Sequence, residues 1–124
     1  MRVLNEAMDN ARLVSERNLW LATVRPSGKP HLIPIWFVWL NGRIYMGTQP
    51  DSVKVRNLQR EPRVSIALED GVAPVIGEGV ARLLEPPFDA GVLAAFKAKY
   101  DWDISTDPAT HVLIEVIVDR WLTW

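Results

Sequence analysis

The chain has 124 residues, enough for one compact domain over residues 1–124, and its 48% hydrophobic content suffices for a core without covalent cross-links. It contains no cysteine, which excludes disulfides, thiolate zinc sites and a cysteine nucleophile, and no other metal site is expected. The net charge of −1 without a long basic run argues against nucleic-acid binding, and the longest apolar stretch, residues 32–40, is too short to span a membrane. We expect a soluble cytoplasmic protein.

The N-terminal third of the chain predicts one helix and two strands. Apolar residues at helical spacing indicate an amphipathic helix over residues 4–17, and residues 19–25 are β-prone. After a Pro-Ser-Gly-Lys turn, residues 30–40 form a second strand. Its nearly continuous apolar run from Leu32 onward predicts burial on both faces, and Pro34 predicts an edge or a bulge.

A hairpin and a short helix are predicted next. Asn41-Gly42 is a strong hairpin signal, and residues 43–49 form the returning strand. Asp51 or Ser52 caps a helix that runs to about Arg60, because Pro62 then stops it.

The second half predicts two further strands, a third helix and a last strand. Residues 63–69 alternate polar and apolar, and residues 74–85 form a strand that Gly77 and Gly79 allow to bend. Pro86-Pro87 opens the helix, and residues 111–121 form the final strand. About six strands and three helices without regular alternation favour a mainly β, antiparallel small barrel.

The sequence lacks the common catalytic motifs. His31 and His111 lie in predicted strands without metal-ligand spacing, so a structural role is favoured for both. The most informative segment is the helix start at residues 52–58. Ser52, Lys54 and Arg56 there suit a phosphate, whereas the alternative is an ordinary solvated basic helix. On a regular helix Lys54 and Arg56 point about 200° apart, so they grip one phosphate only if Lys54 precedes the helix.

The chain has six tryptophans and one nearly continuous apolar strand. Together these would give a small monomer a larger exposed apolar surface than is usual. We therefore expect a homodimer of two-fold symmetry.

Three stretches, WLATVRPSGKPHLIPIWFVWLNGRIYMGT, SVKVRNLQREPRVSIAL and GEGVARLL, occur in an order that resembles the pyridoxamine 5′-phosphate oxidase-like, FMN-binding split-barrel superfamily. The resemblance runs over residues 18–124 and is closest to the coenzyme F-420-dependent oxidoreductases. It implies a six-stranded antiparallel split β-barrel and a homodimer that holds FMN or the deazaflavin coenzyme F-420 at the subunit interface.

The resemblance also implies which residues contact the cofactor. The phosphate would be held by Ser52, Lys54, Arg56 and Asn57. The ring would lie along Ile33, Pro34, Ile35 and Trp36, facing Gly47 and Thr48. The closing tryptophan would be Trp124, with Trp121 as a second candidate, and would reach toward the other subunit's site.

The resemblance stops short of pyridoxamine phosphate oxidase itself. Those enzymes carry a phosphate-binding arginine where this chain has Ile33 and Pro34, and a C-terminal arginine that has no counterpart here. The implied function is an oxidoreductase that passes hydride from F-420 or FMN to an unsaturated small molecule. The alternatives are a cofactor carrier or sensor without turnover and, with less support from the charge balance, an oligonucleotide-binding barrel. No catalytic side chain is identified.

Overall fold

The computed structural model describes residues 6–122, with side chains from residue 9 onward. The three helices are α1 (Glu6–Ser15), α2 (Val53–Arg60) and α3 (Ala90–Tyr100). The strands are β1 (Asn18–Val24), β2 (Pro30–Trp36), β3 (Val38–Leu40), β4 (Arg43–Thr48), β5 (Arg63–Leu68), β6 (Ile76–Leu84) and β7 (Val112–Leu122). The predicted mainly β, antiparallel fold with three helices is confirmed, and most boundaries agree within two residues.

The seven strands form one antiparallel sheet in the order β2-β1-β5-β6-β7-β4-β3. The two edge strands, β2 and β3, are consecutive in the chain, and only Phe37 separates them. A connection of one residue cannot span a flat seven-stranded sheet, whose neighbouring strands lie about 4.8 Å apart. The sheet is therefore curled so that its two edges approach each other, and β2 contacts β4 there.

The single strand predicted over residues 30–40 is divided at Phe37, which gives seven strands instead of six. The Phe37 N–H donates to the Tyr100 hydroxyl oxygen at 2.9 Å, and that oxygen lies 2.7 Å from the Phe37 carbonyl oxygen. The Tyr100 hydroxyl thus accepts the Phe37 N–H, and its single proton is shared between the carbonyl oxygens of Phe37 and Arg17, each 2.7 Å away. Phe37 can leave the sheet ladder without leaving buried polar atoms unpaired.

The prediction that β2 is buried on both faces is wrong for the single chain. Burial alternates along the strand: Ile33 and Ile35 pack against the core, whereas Leu32 and Trp36 are 59% and 43% exposed. A barrel strand contributes only every second side chain to the interior, so an unbroken apolar run places half of its members outside. The edge position predicted from Pro34 is confirmed.

Local turn and cap predictions agree with the structure. Asn41 and Gly42 have φ of 54° and 73°, the left-handed values that a tight hairpin turn requires. Ser52 caps α2, and its hydroxyl oxygen accepts the Val55 N–H at 3.4 Å. Asp89 caps α3, three residues after the predicted Pro86-Pro87 start. The pairing of β6 with β7 shifts register between Glu78 and Gly79, where a bend was predicted.

Two apolar clusters hold these elements together. The first fills the barrel and includes Leu19, Leu21, Phe37, Ile44, Met46, Ile66 and Ile114. The second packs α3 against the outer side of β3, β4 and β7, with Val38, Tyr45, Val92, Phe96, Tyr100, Ile104 and Leu113. Within residues 6–122, no helix is long and apolar enough to cross a membrane.

Candidate functional site

The curled sheet leaves an open seam between β2 and the end of β4. β2 is an edge strand, and β3 pairs only with residues 43–45 of β4, so residues 46–48 have one unpaired edge. At one end of this gap Trp36 and Gly47 both lie against Trp102, and at the other end the positive charge of Lys54 acts on His31. We call this gap the β2–β4 seam. It brings together the two segments in which the sequence predicts cofactor-binding residues.

One end of the seam is the start of α2. The strand β4 ends at Thr48. The Thr48 hydroxyl lies 3.5 Å from the hydroxyl oxygen of Ser52, the residue that caps α2. The first turn of α2 contains no acidic residue. The unpaired backbone N–H groups and the positive dipole end of a helix start favour an anion.

Lys54 adds a positive charge to this end of the seam. Its side chain is half-buried, and burial lowers the pKa of its ammonium below the usual value. No carboxylate among the described side chains, those of residues 9–122, forms an ion pair with it. A partly desolvated cation without a counter-charge is destabilising by itself, so a bound anion would compensate it.

His31 approaches the same place from β2. Its Nδ1 is buried and has no hydrogen-bond partner within the described part of the chain. Burial, and then the positive charges of Arg25 and Lys54, lower the pKa of the imidazole. The imidazole is therefore neutral at pH 7, and Lys54 supplies the positive charge at this end of the seam.

The other residues of α2 named by the sequence point elsewhere. Lys54 lies inside the helix and not before it, and Arg56 is exposed. Asn57 is buried, and its Nδ2 donates to the Thr23 hydroxyl oxygen at 3.0 Å, which ties α2 to β1. The structure thus brings Ser52 and Lys54 together at the seam and separates Arg56 and Asn57 from them.

The other end of the seam is aromatic. Trp36 stacks on Tyr100 with ring centroids 4.5 Å apart and planes 9° apart, and the Trp102 ring approaches it edge-on at 6.0 Å. A Cβ atom at Gly47 would lie 3.1 Å from Trp102 Cη2, so the glycine lets this indole approach β4 closely. These rings give the seam an aromatic end, at the opposite side from Lys54.

A hydrogen-bonded loop holds Trp102 in place. Its indole N–H donates to Asp107 Oδ2 at 2.9 Å, and the Thr110 hydroxyl lies 3.2 Å from the same oxygen. The Ala109 N–H and Trp102 N–H bonds lower the pKa of the Asp107 carboxyl, so it stays ionised at neutral pH. The sequence prediction did not name Trp102, Tyr100 and Asp107 as site residues, and no motif in the sequence marks them.

The remaining predicted site residues are distributed along β2 and β4. Pro34 lies on the exposed outer face opposite Trp20, whereas Thr48 faces inward and is buried. Trp121 packs edge-on against Trp39 at 5.9 Å inside the barrel. Trp124 lies outside the described residues.

A cavity of about 720 Å³ lies over β4, β6, β7 and the start of α3, and it extends to Pro50, Val55 and Gln59 at α2. Its walls carry Glu85, Asp89 and the buried Glu115. Arg82 contacts Glu115 at 2.9 Å, and Arg43 lies 3.5 Å from it. Carboxylates in the lining of this cavity would repel a phosphate. The seam therefore remains the candidate cofactor site.

Comparison with known proteins agrees with this architecture. A conserved hypothetical protein from Mycobacterium tuberculosis is 31% identical, with a TM-score of 0.81 over 98% of this chain and 85% of that one. An F420 reductase is 23% identical (TM-score 0.74, 98% of each chain), and the heme storage protein HutZ from Vibrio cholerae is 21% identical (TM-score 0.78, 99% and 95%). The last two show a shared fold alone.

A search of the curated proteins finds no match. The family model described as pyridoxamine 5′-phosphate oxidase matches residues 5–124, which is nearly the whole sequence. The chain therefore belongs to the pyridoxamine 5′-phosphate oxidase family.

Proposed function

We propose that this protein is an oxidoreductase that binds FMN or coenzyme F-420 in the β2–β4 seam and passes hydride to an unsaturated small molecule. The observation that carries the proposal is the half-buried Lys54, which has no carboxylate partner within residues 6–122 and lies in the first turn of α2 beside the cap Ser52. A cofactor phosphate supplies the charge that this position lacks.

The seam suits the ring of such a cofactor as well as its phosphate. The free edge of β2 offers backbone groups, and Pro34 interrupts its row of N–H donors. Gly47 and the Trp102 indole form an apolar surface beside this edge. A planar tricyclic ring with a phosphate tail therefore matches both ends of the seam in shape and in charge.

The reactive two-electron chemistry is supplied by the cofactor when it is bound. The residues of the chain would bind and orient the cofactor and exclude water: Lys54 and Ser52 would fix the tail, and Trp102 would shield the ring end. Backbone N–H groups along β2 stabilise negative charge on a bound ring. Because the cofactor would carry out the reaction, the proposed function requires no strong side-chain base.

The proposal includes a homodimer. Trp20, Leu32, Pro34 and Trp36 lie on the outer face of β1 and β2, and each is exposed in the single chain. A partner subunit over Trp20, Leu32 and Pro34 would cover these apolar residues and close the seam from outside. The cofactor would then lie at the subunit interface.

A cofactor carrier or sensor without turnover is the second candidate. It is favoured by the aromatic end of the seam, where the described side chains include no histidine and the nearest carboxylate, Asp107, is engaged by Trp102. Both candidates share the same binding site and differ only in whether the ring reacts with a second molecule.

The experiment is a titration of the purified protein with FMN and with coenzyme F-420, followed by tryptophan fluorescence. We expect saturable quenching by at least one of them. The loaded protein is then reduced and mixed with a panel of quinones and enones in a single turnover. Cofactor reoxidation faster than in free solution supports the oxidoreductase. Binding with no acceleration leaves the carrier, and no binding of either cofactor contradicts both.

A further inference from the structure

Arg17, in the connection between α1 and β1, lies against the aromatic end of the seam. Its Cζ is 5.6 Å from the ring centroid of Trp36 and 4.8 Å from that of Tyr100. These distances are within the range of cation–π contacts. The residue lies in none of the segments in which the sequence predicts cofactor binding.

Arg17 is held at both its backbone and its side chain. The Tyr100 hydroxyl lies 2.7 Å from the Arg17 carbonyl oxygen, and Arg17 Nη1 donates to the Lys99 carbonyl oxygen at 3.1 Å. An exposed arginine normally loses rotamer freedom when it binds a ligand. Because these contacts already restrain Arg17, its guanidinium is pre-organised, and most of its N–H donors stay available.

The charge around Arg17 is positive and uncompensated. The Lys99 ammonium lies 3.9 Å from the Phe37 ring centroid and 5.4 Å from that of Tyr100. Burial first, and then the Arg17 charge, lower its pKa to about 8. Glu16 is the acidic group that interacts with Lys99, and Arg12 binds its carboxylate at 2.9 Å. Among the side chains of residues 9–122, no carboxylate forms an ion pair with Arg17 or Lys99.

A flat apolar surface lies next to this positive charge. One face of the Trp36 indole is covered by Tyr100, yet 43% of the residue remains exposed. A planar ring can stack there while a negatively charged substituent reaches the guanidinium. Arginine recognises carboxylates in particular, because its planar fork of donors matches two oxygens.

We propose that Arg17 is a specificity-determining residue and that the second molecule bound at the seam is a planar aromatic anion, such as an aryl carboxylate or an acidic quinone. The aromatic ring packs on Trp36, and the anionic group binds the Arg17 guanidinium. The inference rests on the proposed function, because it assigns the end of the seam remote from Lys54 to the substrate. Beyond the proposed function, it specifies that the substrate is planar and carries a negative charge.

The test compares 2-naphthoate with its neutral amide, 2-naphthamide, by isothermal titration calorimetry on the cofactor-loaded protein. One charge-assisted contact at a partly exposed site is worth about ten-fold in affinity. We expect the wild type to bind naphthoate about ten-fold more tightly than naphthamide. Arg17→Met should reduce this ratio to within two-fold and leave naphthamide binding unchanged. Arg17→Lys should retain part of the preference.

Arg120→Met is the matched control, because Arg120 is exposed on β7 and has no ion pair within residues 6–122. It should keep the full naphthoate preference. Arg17→Gln serves as a second variant if the methionine reduces folding. Equal affinities for the two ligands in the wild type, or a preference that survives both Arg17 variants, would overturn the inference. Cofactor titration of the same proteins separates this result from a failure of cofactor binding itself.

Discussion

Lys54 and Asn57 are three residues apart on α2, yet their surroundings give them different tasks. Lys54 is half-buried without a counter-charge, whereas Asn57 is almost fully buried and donates to Thr23. An uncompensated charge favours a ligand, while a satisfied buried amide favours stability of the fold. We therefore assign ligand binding to Lys54 and stabilisation of the fold to Asn57, although both lie on the same helix.

Asn57→Ala tests this division. The substitution leaves the buried Thr23 hydroxyl without its partner, so we expect the free energy of unfolding to fall by about 1–3 kcal/mol. Urea denaturation measures the change, and cofactor affinity of the folded variant should stay within about three-fold. Arg56→Ala, an exposed neighbour, should change stability by less than about 0.5 kcal/mol. Unchanged stability together with a large loss of affinity would make Asn57 a cofactor ligand after all.

At the scale of elements, the accurate sequence predictions rest on short-range chemistry. The Asn41-Gly42 turn and the Ser52 cap depend on the φ and hydroxyl of the residues themselves, so the sequence specifies them locally. The break at Phe37 depends on the Tyr100 hydroxyl, 63 residues away. No local sequence pattern predicts such a distant contact. The apolar run from Leu32 instead predicts one continuous strand through Phe37.

The residues of the candidate site also differ in whether the local sequence predicts them. Ser52 and Lys54 are recognisable from sequence because a strand followed by a capped basic helix is a local phosphate signal. Trp102 and Arg17 reach the seam only through the packing of α3 and the curl of the sheet. Their roles depend on tertiary distances, so sequence reasoning assigns them to a loop and a helix end.

At the scale of the whole molecule, the exposed outer face of β1 and β2 predicts self-association. Leu32 is 59% exposed and Trp20 is 38% exposed beside it on this apolar face. We expect light scattering at micromolar concentration to give twice the chain mass of 14.1 kDa. Leu32→Glu, which places a charge in the proposed interface, should shift the protein toward monomer. A wild-type mass of one chain would contradict the homodimer.

The central claim is that the seam holds a cofactor through its phosphate at Lys54. FMN and riboflavin differ only in that phosphate, whereas coenzyme F-420 and its deazaflavin chromophore differ in the phosphate and in the acidic tail attached to it. The decisive measurement is the affinity of each pair for the wild type, Lys54→Ala and Arg56→Ala. We expect Lys54→Ala to weaken the phosphorylated cofactor by about 1.5–3 kcal/mol, roughly ten- to a hundred-fold, and the phosphate-free ring by less than about two-fold. Arg56→Ala should have the smaller effect, because its side chain is exposed on another side of α2. Equal losses for both members of the pair, or no loss in Lys54→Ala, would contradict the account.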